Sequence, residues 1–181
     1  LQLLLLDLTI KVKVTRKKAN NFIFEAKRID KNYIENKKFK KLSSQIRGSI
    51  MIMGPLISRE GQVNVLTPGG DKIGRRPLDT HFKGLENLGA KIKIKKNNIY
   101  QLTGKNLIGK KILLEEASVT ATANIIMAAT LAKGITEIYN AACEPYIQQL
   151  CKMLNKMGAK INGIGTNLIK ITGEKKLHGT S

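Results

Sequence analysis

Tryptophan is absent from this chain of 181 residues, and aromatic residues make up only 4% of it. Stacking platforms for nucleobases need aromatics interleaved with cations, so a dedicated nucleic-acid module is not expected. Only two cysteines are present, Cys143 and Cys151. They do not make a disulfide framework, and no CxxC or His-rich spacing accompanies them, so no metal site is expected. Both lie in or beside an expected helix, where a buried free thiol is the default. No apolar run reaches the length of a membrane span: Leu3–Leu6 is too short, and no cleavage site follows it. Acidic residues are scarce, 13 against 32 basic, for a formal net charge of +19. Only six of the basic residues are arginine. The lysines are scattered along the chain, which reads as compositional bias. Weak polyanion binding at low salt follows from that charge; specific nucleic-acid recognition does not. The length and a hydrophobic content of 42% allow one domain with a real core. The first residue is Leu, and Leu1–Leu8 starts as though inside an element, so the chain reads as a fragment. A reducing cytoplasm is the compartment that fits this cysteine usage.

What the chain does have is a distinctive loop, Leu66–His81, LTPGGDKIGRRPLDTH. Pro68-Gly69-Gly70 is a turn signal after the strand-like run Gln62–Thr67. Pro77 suits the first position of a helix whose apolar residues Leu78, Phe82, Leu85 and Leu88 follow helical spacing. Between them lies a glycine-hinged stretch carrying Asp71, Lys72, Arg75 and Arg76. A loop of one carboxyl group and several cations that feeds a helix N-terminus suits an anionic ligand; a solvated basic turn is the plainer account.

Elsewhere the pattern alternates strands and helices. Leu1–Leu8 reads as the end of a helix, Thr9–Val14 and Phe22–Ala26 as a hairpin about Asn20-Asn21, and Arg28–Lys38 as a polar surface connection. From Phe39 to about Arg59 the spacing of Leu42, Ile46, Ile50, Met53 and Ile57 predicts one largely buried helix, bent at Gly54-Pro55. Arg47 is the anomaly in it, either a snorkelling cation or one aimed at a ligand phosphate. Ala90–Lys95 with Asn98–Leu102 predicts a hairpin, and Lys110–Leu114 a strand. Ser118 is placed to cap a helix over Val119–Ala132, closed by Gly134. Ile135–Tyr139 predicts a strand, Glu144-Pro145 a helix start, and Lys160–Asn162 with Leu168–Thr172 a final hairpin. Leu88-Gly89-Ala90-Lys91-Ile92 recurs 69 positions later as Met157-Gly158-Ala159-Lys160-Ile161. Leu6–Val12 is a weaker third copy. Each full unit reads βαβαββ, which implies pseudo-symmetric packing of repeats. Residues 1–30 would end a first unit, about 39–115 would form a second, and about 116–173 an incomplete third.

The ordered string PGGDKIGRRPLDTH followed by LENLGAKI closely resembles the active-site loop and next helix of the UDP-N-acetylglucosamine enolpyruvyl transferase family. The likeness extends upstream through Ile46–Val65 and downstream through Ser118–Ile147 and Leu154–Gly173. It implies an α/β fold of the inside-out enolpyruvyl transferase type, built from repeated βαβαββ units, with a second domain outside this chain. It implies transfer of the enolpyruvyl group of phosphoenolpyruvate to UDP-N-acetylglucosamine with release of phosphate, the first committed step of peptidoglycan synthesis, without a cofactor. Those two substrates and the missing domain are the partners it implies.

The resemblance also implies roles for residues. Asp71 stands where the family loop usually has cysteine, as the proton donor. Arg76 and Arg47 match substrate-contacting arginines, whose planar forks grip carboxylate or phosphate in a way Lys does not. Arg76, Pro77, Leu78, Asp79 and Thr80 match the segment that holds the nucleotide end, with Asp79 accepting from the uracil NH; complementing the helix dipole is the plainer role for Asp79. Ser118 and Val119 match a segment contacting the diphosphate. Nearby, Glu116 stands where lysine is common and Thr120 where glycine is. His81 falls close to the family's substrate site, although a single helical His is more often structural. Glu144 suits dipole complementation, and Lys72 and Arg75 the steering of anions. Two other readings remain open: an enolpyruvylshikimate-phosphate synthase-like transferase, and a non-catalytic basic RNA-binding remnant. One wall of the cleft alone is expected to be inactive.

Overall fold

The computed structural model describes residues 12–18, 21–30, 32–69 and 77–181. The chain divides into two compact units. One comprises Leu1–Ile50, Asn64–Gly74 and Lys95–Tyr100; the other comprises Met51–Val63, Arg75–Ile94 and Gln101–Ser181.

The first unit opens with an antiparallel hairpin, β1 (Lys13–Lys18) and β2 (Asn21–Glu25), in which Val14 faces Phe24 and Lys18 faces Asn21. The first strand therefore runs through the lysines that followed the expected span Thr9–Val14. Closure at Lys18 and Asn21 requires it, because β1 must extend to the turn to face its partner. Residues 9–11 and the expected helix end at Leu1–Leu8 lie outside the described residues.

The expected surface connection at Arg28–Lys38 holds part of the core. Tyr33–Glu35 forms a 3-10 turn with Tyr33 and Ile34 buried. Tyr33 packs edge-on against Phe39, with ring centroids 4.9 Å apart. Its hydroxyl donates to the Asn64 carbonyl at 2.6 Å and accepts from the Asn64 N–H at 2.8 Å. Burial pushes this hydroxyl up to about 12.

The single helix expected from Phe39 to Arg59 is three pieces. They are α1 (Lys37–Ser43), a 3-10 segment Arg47–Ile52, and α2 (Met53–Glu60). Asn36 starts α1 by accepting from the Lys38 and Phe39 N–H groups. Gly54 and Pro55 do not bend a helix; they lie in the first turn of α2, where proline's missing N–H needs no intrahelical partner. Apolar spacing misses such breaks because 3-10 and α turns have similar periods. In the same unit as α1, Gly69 donates its N–H to the Ser43 carbonyl at 3.2 Å. A Cβ there would stand 1.5 Å from the Ser44 carbonyl oxygen, so only glycine allows this approach.

From Gln62 onward the elements follow the expected order. They are β3 (Gln62–Leu66), α3 (Asp79–Asn87), β4 (Lys91–Lys95) and β5 (Ile99–Thr103), with strand order β3-β5-β4. Then come β6 (Lys111–Leu113), α4 (Val119–Ala129), β7 (Ile135–Tyr139), α5 (Pro145–Lys156), β8 (Lys160–Asn162) and β9 (Leu168–Thr172), with strand order β6-β7-β9-β8. β6 and β7 are parallel, while β9 runs antiparallel to β7 and β8, so residues 111–172 trace a βαβαββ path.

Helix α4 is the buried centre of the second unit. Ala121–Ile126, Ala128 and Ala129 are all buried, and Ile125 and Ile126 are fully so. Each such isoleucine contributes about 1.5–3 kcal/mol of transfer free energy. Its neighbours α2 and α3 approach it through glycines, Gly54 against Asn124 and Gly84 against Ile125. The two LGAKI-type copies end their helices alike. Gly89 (φ 100) and Gly158 (φ 98) adopt left-handed backbone. Ala90 N–H then donates to the Leu85 carbonyl at 3.0 Å, and Ala159 N–H to the Leu154 carbonyl at 2.9 Å.

Cys151 is buried on α5, and burial pushes its thiol up to about 11. Cys143 is exposed, contrary to the expectation of two buried thiols; it lies in the segment before α5, off the apolar helix face. No helix among the described residues is long and apolar enough to cross a membrane.

Candidate functional site

Two helix N-termini meet in the second unit. Helix α3 begins without a side-chain cap, directly after Pro77 and Leu78. A helix start of this kind directs its leading N–H groups outward, an arrangement that suits an anion. Leu78 is buried and anchors the entry, whereas Pro77 and Asp79 are exposed. Helix α4 begins at Ser118, whose Oγ accepts from the Ala121 N–H at 3.4 Å. Ser118, Val119 and Thr120 are half-buried.

Side chains tie these two N-termini together. Thr80 donates from Oγ1 to Glu116 Oε1 at 3.2 Å. One turn on, Lys83 pairs with Glu115 Oε1 at 2.5 Å, and that hydrogen bond raises the lysine's pKa. His81, only 2% exposed, lies 3.1 Å from Thr120 Oγ1 through Nε2 and 3.2 Å from Asn124 Nδ2 through Nδ1. Asn124 Oδ1 accepts in turn from the Gly54 N–H at 2.8 Å.

Pro77, Leu78, Asp79, Thr80, Ser118 and Val119 are thus gathered at two linked helix starts within one unit. Arg47 is the first residue of the 3-10 segment in the other unit and is half-buried. Asp71, Lys72, Arg75 and Arg76 lie outside the described residues. Glu144 precedes α5 and makes no side-chain cap bond. Sequence reasoning missed Asn124 and the partners of Glu116. The available signal was a lone amide inside an Ala, Ile and Met run.

A groove of about 430 Å³ lies beside Thr80, between Lys83, Lys110, Leu113 and Glu115. Lys83 and Glu115 neutralise each other across it, so it offers little net charge to an anion. The positive ends of the two helix dipoles are better suited to one. Among the described residues no cluster of His, Cys, Asp and Glu has the arrangement to hold a metal ion.

The fold is that of the enolpyruvyl transferases. The enolpyruvyl transferase NikO from Streptomyces tendae superposes with a TM-score of 0.75 at 18% identity, over 96% of this chain and 40% of that one. EPSP synthase from Acinetobacter baumannii gives 0.67 at 20% identity, over 98% and 40%. Residues 5–181 match the model of the family described as EPSP synthase (3-phosphoshikimate 1-carboxyvinyltransferase), and the chain belongs to that family. Within it, the chain is 55% identical over 170 residues to the UDP-N-acetylglucosamine 1-carboxyvinyltransferase of Bacteroides thetaiotaomicron, covering 93% of this chain and 39% of that protein. The enzyme of that name from Porphyromonas gingivalis is 53% identical over 169 residues, and that from Borreliella burgdorferi 58% over 135. The chain spans about 39% of the length of the first of these relatives.

Proposed function

We propose that this chain is one part of an enzyme that transfers the enolpyruvyl group of phosphoenolpyruvate to UDP-N-acetylglucosamine and releases phosphate, committing the sugar nucleotide to peptidoglycan synthesis. The observation that carries this is the 55% identity over 170 residues to a relative of that name, against 20% to EPSP synthase from Acinetobacter baumannii. The site residues fit it. Pro77, Leu78, Asp79 and Thr80 would hold the nucleotide end at the uncapped start of α3. Ser118 and Val119 would hold the diphosphate at the start of α4. Arg76 and Arg47 would bind the anionic groups of the substrates.

In the reaction an acid protonates the methylene carbon of phosphoenolpyruvate, and the sugar hydroxyl gives up its proton to a base as the new C–O bond forms; the resulting methyl group then loses a proton as the C–O bond to phosphate breaks, which restores the double bond and releases phosphate. Asp71 would be the acid. The base belongs to the part of the protein outside this chain, and this chain alone would not turn over. Cytoplasmic location follows from the substrates, which are cytoplasmic metabolites. Phosphate release by the complete protein, dependent on both substrates, tests the reading; release without UDP-N-acetylglucosamine, or none with it, would reject it.

A further inference from the structure

We propose that the Thr120 hydroxyl is a hydrogen-bond donor to the diphosphate of the sugar nucleotide, held in that role by a one-way chain of donors through Gly54, Asn124 and His81. The proposal rests on the UDP-sugar reading above and adds a contact that the sequence likeness does not supply, because Thr120 stands where glycine is common.

The direction of the chain is fixed at its buried end. A backbone N–H only donates, so the atom 2.8 Å from Gly54 N must be the Asn124 carbonyl oxygen. The amide orientation is thereby settled, and the group facing His81 is the Asn124 NH₂. It donates to His81 Nδ1 at 3.2 Å. His81 must therefore carry its proton on Nε2, and Nε2–H donates to Thr120 Oγ1 at 3.1 Å. His81 is 2% exposed and Asn124 fully buried, so water does not compete for these bonds. Each donor orders the next.

At the surface end the chain is open. His81 engages one of the two lone pairs of Thr120 Oγ1, and the hydroxyl proton is still to be given away. Among the described residues no acceptor takes it. Thr120 is the second residue of α4, half-buried, two positions after Ser118, whose Oγ accepts from the Ala121 N–H. The Thr120 hydroxyl joins the first turn of α4, where a helix leaves its leading N–H groups without intrahelical partners. That set is complementary to an anion with several acceptor oxygens. His81 is a positioning residue in this account: it touches Thr120 and not the ligand.

The test compares the complete wild-type protein with Thr120→Val, which keeps the shape, and Thr120→Ser, which keeps the hydroxyl. UDP binding is followed by calorimetry, together with KM for UDP-N-acetylglucosamine and for phosphoenolpyruvate. Thr120→Val is expected to weaken UDP and raise the sugar-nucleotide KM roughly tenfold, the scale of one hydrogen bond to a charged group. The phosphoenolpyruvate KM should stay within about twofold, and Thr120→Ser should recover most of the loss. Histidine nitrogen shifts should report His81 protonated on Nε2. Equal UDP affinity in Thr120→Val, no recovery in Thr120→Ser, or a His81 proton on Nδ1 overturns the inference while leaving the UDP-sugar reading intact. A wild-type protein that binds no UDP overturns both.

Discussion

Gly54 and Asn124 touch backbone to backbone: a Cβ added at Gly54 would stand 2.2 Å from the Asn124 carbonyl oxygen, while the Gly54 N–H already holds the Asn124 side chain. Backbone has no rotamer with which to yield, so α2 and α4 would have to separate. Gly54→Ala should destabilise the protein by about 1–3 kcal/mol, the usual cost of overpacking, and loosen the order of His81. Chemical denaturation checks this. A variant as stable as wild type would mean that the two helices are not in this contact.

Tyr33 makes the first unit sensitive to alkali. Its hydroxyl is pushed up to about 12 by burial, against about 10 for an exposed tyrosine. A raised folded-state value means that the unfolded chain releases this proton first. The resulting stabilisation is fully present below pH 10 and is lost as pH rises from there through about 12. Stability measured across that window should fall for wild type, and the slope should be shallower in Tyr33→Phe. Identical slopes would show that Tyr33 is not buried in this way. The substitution also removes the two hydrogen bonds to Asn64, so Tyr33→Phe should be less stable near neutral pH.

Asp71 stands where the family loop usually has cysteine, and its proposed role as proton donor can be tested chemically. Family enzymes with cysteine there are alkylated by the epoxide fosfomycin, and a carboxylate is a much poorer nucleophile. Cys143 and Cys151 lie outside the loop. The complete protein should resist fosfomycin, Asp71→Cys should become sensitive, and Asp71→Ala should lose turnover. Adduct mass and residual activity read the outcome. Rapid covalent inactivation of wild type, or full activity in Asp71→Ala, would defeat the assignment. An ordinary Asp ionises near pH 3.9 and must regain its proton in the closed site to act as an acid. Desolvation and substrate charge favour that, while Lys72, Arg75 and Arg76 oppose it.

Arg76 tests geometry against charge. Arg76→Lys keeps the cation and loses the planar fork. Catalytic efficiency in the complete protein should fall by the equivalent of about 1–3 kcal/mol, the range for hydrogen bonds to charged groups. Near-normal efficiency would reduce Arg76 to a loop cation.

Much of this molecule was legible from sequence where one signal dominated. The Ser118 cap, the Pro145 start of α5 and the paired glycines Gly89 and Gly158 mark their elements directly, because each residue type solves a specific backbone problem. The buried α4 announced itself by Ala, Ile and Met on every face. Periodicity failed where turn types share a period, so the break between α1 and α2 was invisible. Local composition failed at Tyr33, because its burial depends on Phe39 and on Asn64, 31 residues away. At the candidate site, the helix start after Pro77 and the cap at Ser118 were readable. The links Thr80–Glu116, Thr120–His81 and His81–Asn124 were not, since they join residues 36 to 43 positions apart by side-chain reach alone.

The choice of acceptor separates the two kinds of enolpyruvyl transferase. The complete protein should be given phosphoenolpyruvate with either UDP-N-acetylglucosamine or shikimate 3-phosphate, and both phosphate release and product mass followed. The first mixture should yield phosphate and an enolpyruvyl sugar nucleotide, and the second nothing above background. Turnover of shikimate 3-phosphate, or a protein that ignores UDP-N-acetylglucosamine and instead binds RNA with strong salt dependence, would contradict the UDP-sugar reading.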